Sequence, residues 1–448
     1  MTADITAAVD DLFPDVTDEL SRLVRIPSVS ASGFEPARVR DSAEATADLL
    51  RRSGFSGVTL LEIDDAHPAV YAEMPGPEGS PTVLLYAHHD VQPPGPDAEW
   101  PHGEPFVPDE RDGRLYGRGS SDDKAGVVTH AAIGRLFDGR PPVNLKVFIE
   151  GEEEIGSAHL TAFLDEYSPR LASDVIVIAD SANWRVGVPA ITTSLRGVIS
   201  VRVEVAVLTA GVHSGMFGGA VPDALTILTR ILSSLHDDAG NVAVPGLVGF
   251  DSEPLDLTEE ELRSQAGVLP SVELIGDGSL TSRLWSRPAA AVLAIDAPPV
   301  KEAINQLIPR ASAKVSVRIA PGDEPARAMA SLITHLSSRP AWGAEVTVTA
   351  LESGEPFALT PGDPRVEAFR DAMRSVWGVE PVDMGVGGSI PFVAAFSDAN
   401  PNAAILLIGA GDPTSAAHGP NESVDLGDLR NAIESLAMAL MTLGEGGE

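Results

Sequence analysis

Leu145-Lys-Val-Phe-Ile-Glu-Gly-Glu-Glu-Glu-Ile-Gly-Ser157 changes character halfway along. Its first half is apolar and β-prone; its second half crowds Glu150, Glu152, Glu153 and Glu154 around Gly151. A short apolar run between Pro141-Pro142 and a glycine reads as a buried strand. Four carboxylates at the end of such a strand repel one another and resist burial unless positive charge sits among them. The lysine at hand, Lys146, lies back inside the strand. Two readings stay open for the segment alone: a solvated acidic turn, or a divalent cation held among the glutamates.

The same kind of ending recurs outward from this stretch. Thr82 to Asp90 is an apolar run that closes on His88, His89 and Asp90. Asp174 to Asp180 is another, closing on an acid, and Ala403 to Gly409 leads into a loop with His418-Gly-Pro-Asn-Glu422. Gly117 to Gly126 carries Asp122-Asp123 and opens an apolar helix over Val127 to Phe137. Helical spacing also marks Asp15 to Leu23, Arg38 to Arg52, His159 to Glu166 and Arg365 to Val376; Val58 to Ile63 and Ala69 to Met74 read as strands. Strands alternating with helices predict an α/β fold whose sheet is mostly parallel and flanked by helices. Sites in such sheets lie beyond the carboxyl ends of the strands. Several polar endings converging on one edge therefore point to a site.

Between about Arg196 and Pro356 the pattern changes. Gly197 to Val205 and Ala313 to Ile319 alternate apolar and polar residues, as half-exposed antiparallel strands do. Helical stretches follow at Ala224 to Leu235 and Pro325 to Ser337, and Thr258-Glu-Glu-Glu261 forms a capping box. Ala266 to Leu280 matches no element. This predicts an inserted α+β domain, with the chain divided into 1–195, 196–356 and 357–448.

Composition narrows the function. The 448 residues suffice for two domains. Lys+Arg number 31 against 65 Asp+Glu, a net charge of -34, which argues against nucleic acid and anionic membrane as partners. There is no cysteine, so a metal here must be held by nitrogen and oxygen. The N-terminus lacks a basic leader, and no apolar run approaches the ~18 residues of a membrane span. The cytoplasm is the expected location.

Five motifs occur in one order: Tyr86-Ala-His-His-Asp-Val-Gln-Pro93, Gly117-Arg-Gly-Ser-Ser-Asp-Asp-Lys124, Glu150-Gly-Glu-Glu-Glu-Ile-Gly-Ser157, Ile178-Ala-Asp180 and His418-Gly-Pro-Asn-Glu422. Together they resemble the M20 family of dinuclear metallopeptidases, in its dipeptidase branch that includes carnosine dipeptidases, over nearly the whole chain. The resemblance implies a zinc-exopeptidase-like catalytic domain with an inserted lid and dimerisation domain. It implies that His88 and Asp180 hold one ion, Glu154 and His418 the other, and that Asp122 bridges them, the Asp122–Asp123 peptide being cis. Asp90 would orient His88, and Glu153 would be the general base. Two divalent ions per subunit are implied, Zn²⁺ first, with Mn²⁺ or Co²⁺ as alternatives. Two such ions about 3.5–4 Å apart share and acidify a water, which a neighbouring carboxylate deprotonates.

In the inserted domain, Val212-His-Ser-Gly-Met-Phe-Gly-Gly219 resembles the segment whose histidine reaches the partner subunit's site, so His213 would polarise the substrate carbonyl in trans within a homodimer. Arg318 resembles the arginine that grips a substrate carboxylate, and Ser389, in Gly387-Gly-Ser-Ile-Pro391, the serine that contacts substrate backbone. The chain departs from the pattern at Gly385 and Val386, where the dipeptidases carry Arg-Glu, and after His418, where Gly-Pro replaces Ser-Gln. The function implied is a two-metal hydrolase of dipeptides or similar short substrates with a free carboxylate. The alternatives are an N-acyl-amino-acid amidohydrolase of the same build and a catalytically silent relative that binds metal or peptide.

Overall fold

The computed structural model describes residues 2–100, 103–338, 341–388 and 390–446. It contains two compact units, one of residues 1–193, 359–384 and 391–448, the other of residues 194–358 and 385–390.

The first unit is built on a nine-stranded sheet. Its central strands, Asn144–Glu150, Thr82–His88, Val175–Ile178 and Ala404–Leu407, are neighbours in that order and parallel. Ala69–Met74 and Ser56–Leu61 extend one side antiparallel, and Ala190–Leu195 the other. The central strands are apolar at consecutive positions because both faces are covered. Val83, Leu85, Ala87, Val147 and Ile149 face one core, shared with residues of the helices Thr2–Val24, Pro36–Arg52, Lys124–Phe137 and Leu426–Glu445. Tyr86 and Phe148 face the other side, where Phe392, Phe396 and Phe163 close over them; Tyr86 stacks on Phe392 at 4.9 Å between ring centroids. Each aromatic pair adds about 0.5–1.5 kcal/mol beyond its area. This alternation decides where the strand ends point, and His88 continues the Leu84–Tyr86 face.

The second unit holds a four-stranded antiparallel sheet in the order Ala289–Asp296, Arg310–Ile319, Gly197–Ala206, Glu345–Gly354. Ile199, Val201, Val203 and Val205, with Val315, Val317 and Ile319, bury one face against the helices Ala224–Ser233 and Pro325–Ser337. The capping box at Thr258 is present and opens the helix Glu259–Ala266. Residues 267–279 contain no helix or strand.

Several elements go beyond the sequence reading, which places no strand at Ala190–Leu195 or Glu345–Gly354; three others are instructive. The first helix starts at Thr2 rather than Asp15 and runs through Pro14. Burial of Val9, Val16 and Leu20 on one face outweighs the hydrogen bond that Pro14 removes. The strand Ala289–Asp296 was unassigned because its residues, all apolar up to Asp296, do not alternate; it is an edge strand with Val292, Leu293 and Ile295 exposed. The helix Leu426–Glu445, which buries Leu429, Ile433, Leu436 and Leu440, was also unassigned. No helix among the described residues is long and apolar enough to cross a membrane.

Candidate metal centre

The polar strand endings meet in the first unit. His88 is the last residue of its strand, fully buried. Asp180 stands two residues beyond Val175–Ile178. Glu153 and Glu154 open the 3₁₀ turn Glu153–Ile155, just after Asn144–Glu150. Asp122 directly precedes Asp123, which caps the helix Lys124–Phe137 by accepting the Gly126 N–H at 3.1 Å. Asp123 also accepts the His88 N–H at 3.2 Å, tying that helix to the strand end. The Asp122–Asp123 peptide is cis.

Two groups of donors form there. His88, Asp122 and Asp180 make one, and Asp122, Glu154 and His418 the other, each with ligand atoms within 4.8 Å of one another. Asp122 belongs to both. Its Oδ1 lies 3.0 Å from His88 Nε2, and its Oδ2 2.9 Å from His418 Nε2. Asp180 Oδ2 is 3.8 Å from His88 Nε2, and Glu154 Oε2 is 3.1 Å from His418 Nε2. Glu153 Oε2 stands 4.0 Å from His88 Nε2 and belongs to neither group.

The electrostatics are those of carboxylates crowded together and largely withdrawn from water, while His418 stays exposed at the rim. Burial lifts Glu153 to about 9, and the charges of Asp180, Glu154 and Asp122 add to it against His88. Burial likewise lifts Asp180 to about 7. Asp122 moves the other way: burial pushes it up, but contacts with His418 and His88 hold it well below the usual carboxylate range. His418 is raised to about 10 by its contacts with Asp122 and Glu154. Three carboxylates and two imidazoles of nitrogen and oxygen type, arranged about a shared carboxylate, fit a pair of divalent cations.

Asp90 contacts more than the His88 imidazole. His88 Nδ1 lies 3.1 Å from the Asp90 backbone O and 3.5 Å from its Oδ1. The same carboxylate accepts the N–H groups of Glu153 and Glu154 at 3.3 and 3.1 Å and the Ser30 hydroxyl at 2.7 Å. One side chain thus sets an imidazole and both glutamates. Gln92 was not singled out in the sequence. Its Nε2 donates to Glu154 Oε2 and to the Glu154 backbone O, both at 2.9 Å, and its N–H to Oε1 at 3.1 Å. Gln92 lies inside the 86–93 motif, but a neutral amide carries no ligand spacing that would have marked it.

The opening glutamates divide. Glu150 accepts the Tyr86 hydroxyl at 2.7 Å, and burial raises its carboxyl to about 7. Glu152 holds the His67 N–H at 2.8 Å and pairs with His159 Nδ1 at 2.7 Å. His89 faces away, toward the Pro68 carbonyl at 2.9 Å.

His213 and Arg318 stand in the second unit. His213 is exposed on Val212–His213, where its Nδ1 accepts the Gly215 N–H at 3.0 Å. That leaves the proton of a neutral ring on Nε2. Arg318 lies on Arg310–Ile319, paired with Val198 and Ala289. Ser389 lies outside the described residues.

A parallel-centred sheet ending in a cluster built for two cations defines a two-metal hydrolase. The model of Peptidase family M20/M25/M40 matches residues 84–442, and the chain belongs to that family. It is 34% identical over 439 residues to a cysteinylglycine-S-conjugate dipeptidase of Corynebacterium striatum, covering 96% of each. Among solved structures it resembles an M20 family metallo-carboxypeptidase of Sulfolobus solfataricus, with a TM-score of 0.78, 26% identity, and 96% and 99% of the two chains covered. It also resembles human carnosine dipeptidase 1, with a TM-score of 0.75, 25% identity and 99% of both chains covered.

Proposed function

We propose that this protein is a metallo-dipeptidase that hydrolyses the amide bond of dipeptides or similar short substrates bearing a free carboxylate. The observation that carries the reading is Asp122, whose two oxygens face different imidazoles in two overlapping donor groups. In this reading His88 and Asp180 would hold one ion and Glu154 and His418 the other, with Asp122 offering an oxygen to each group. Zn²⁺ suits this donor set, as do Mn²⁺ and Co²⁺. Such a pair of ions supplies Lewis-acid polarisation of the scissile carbonyl and acidifies a water.

The chain's own residues do the rest. Glu153, beside the donor groups and in neither, would lose its proton once the charge of two bound cations offsets the burial that raises it; as a carboxylate it takes a proton from the attacking water and delivers it to the leaving nitrogen. Asp90 keeps Glu153, Glu154 and His88 in register through its four contacts with them. His213 donates its Nε2–H to the carbonyl oxygen as negative charge develops there, reaching the site of a partner subunit. Arg318 binds the substrate carboxylate and Ser389 the substrate backbone. The assembly is a homodimer through the 194–358 unit, and the enzyme works in the cytoplasm on small peptides. The names of the Corynebacterium and human relatives support a dipeptide as substrate.

Replacing Glu153 with Gln tests the mechanism. Metal content should stay at two ions while kcat falls by ~10²–10⁴-fold; unchanged turnover refutes the role given to Glu153. A panel of dipeptides and N-acyl amino acids tests the substrate class. Cleavage of acyl amino acids without dipeptide cleavage replaces this reading with the amidohydrolase one. An active monomer at high dilution removes the trans role of His213.

A further inference from the structure

Glu422 is a fully buried carboxylate outside both donor groups. Its Oε1 accepts the N–H groups of Ser121 and Asp122 at 2.9 and 3.0 Å, and its Oε2 that of Gly119 at 2.9 Å. Arg118 donates Nη1 to Oε2 at 2.5 Å, and the Gly117 N–H donates to the Glu422 carbonyl at 2.9 Å. Arg118 is as deeply buried, at 1% side-chain exposure. Its Nη2 donates to the carbonyls of Gly419 at 3.1 Å and Pro93 at 3.3 Å.

These bonds join three loops. One carries Asp122, whose own N–H is among those that Glu422 holds. The second carries His418, next to Gly419 and four residues before Glu422. The third is the Gln92-Pro93 corner, where Gln92 fixes Glu154 from two sides. Asp122, Glu154 and His418 are the members of one donor group. His88 and Asp180, the other group's remaining members, sit at strand ends, and no hydrogen bond of Arg118 or Glu422 named above reaches them. The His418 loop also needs an outside hold. Ala416, His418 and Asn421 all take left-handed backbone conformations, with φ of 52°, 63° and 61°. Non-glycine residues persist there only where the surroundings impose it. A buried ion pair contributes little net stability once its desolvation is counted, and specifying geometry is the better reason to keep one.

We infer that the Arg118–Glu422 pair is a positioning device for the second cation, setting the mutual spacing of Asp122, Glu154 and His418. This rests on the two-cation reading above. The test is calorimetric titration of the metal-free protein with Zn²⁺, with His418→Ala as the reference for a chain that has lost the second site. Glu422→Gln keeps the side chain's size but turns an amide N–H₂ toward donors. It should weaken binding of the second ion ~10–100-fold and of the first by clearly less, since Asp122 is the one member of the first group that Glu422 touches. Unaltered affinity at both steps overturns the inference. So does equal weakening at both steps with a lower unfolding midpoint of the metal-free protein, which marks general support of the fold. If wild type itself takes up fewer than two ions, the two-cation reading falls and this inference with it. Should Glu422→Gln fail to fold, Arg118→Lys takes the same titration, since a lysine keeps the charge but cannot span three loops at once.

Discussion

A histidine sealed in a core resists protonation, and His130 is one. It has no exposure, and its Nε2 lies 2.9 Å from the Tyr86 carbonyl. Burial pulls its pKa down to about 4, against the carbonyl's opposing pull. In the unfolded chain an imidazole titrates near ~6.5. Above that pH neither state binds the proton and His130 costs nothing. As pH falls from about 6.5 toward 4 the unfolded state gains the proton first, and stability is lost, on the order of 3 kcal/mol in total. His130→Gln should flatten that acid limb relative to wild type, measured by urea unfolding of the metal-free protein at successive pH values. Equal slopes refute the neutral buried imidazole. At this scale the sequence was informative where a residue sat in a motif: His88, Asp122, Glu154, Asp180 and His418 all meet. Gln92, Arg118 and Glu422 sit in the same motifs, yet the sequence did not show them as partners, because hydrogen bonds between loops up to 304 residues apart leave no local pattern.

Whole elements were legible where a period was clean. The strand Arg310–Ile319, whose alternation over Ala313 to Ile319 marks it, and the helix Pro325–Ser337 fall where alternation and helical spacing put them. The strand Ala289–Asp296 hid because neither of its faces is buried, so nothing imposes alternation, and the first helix hid its start behind a proline that packing tolerates. Caps are the most local signal of all. Thr258 accepts the Glu261 N–H at 3.2 Å, and Glu261 accepts the Thr258 N–H at 2.8 Å. The helix they open, Glu259–Ala266, buries no residue, so its cap matters more to it than packing does. Thr258→Ala should cost that helix about 1 kcal/mol, which speeds amide exchange across 259–266 by about fivefold. The global unfolding midpoint should not move. A shifted midpoint with unchanged local exchange contradicts the independence of this element.

For the molecule as a whole, charge sets the terms. A net charge of -34 works against compactness everywhere, and the cluster of Asp122, Glu153, Glu154 and Asp180 concentrates that repulsion in one buried spot. The two repulsions answer to different remedies. Monovalent salt screens charges over about 10 Å at 0.1 M, so it acts on the surface and improves stability gradually in both units. Divalent ions held by the donor groups act only on the folded first unit, by about 2.7 kcal/mol per site when free ion stands at ~100 times its dissociation constant. Each unit has its own buried core, so each can show its own transition. Chelation should therefore lower one calorimetric transition and abolish peptide hydrolysis while the other transition stays in place. Added sodium chloride should then raise both without restoring activity, and two equivalents of Zn²⁺ should restore activity and the first transition together. If chelation moves neither transition and hydrolysis persists, the carboxylate cluster is relieved by protons rather than cations, and the two-metal assignment fails.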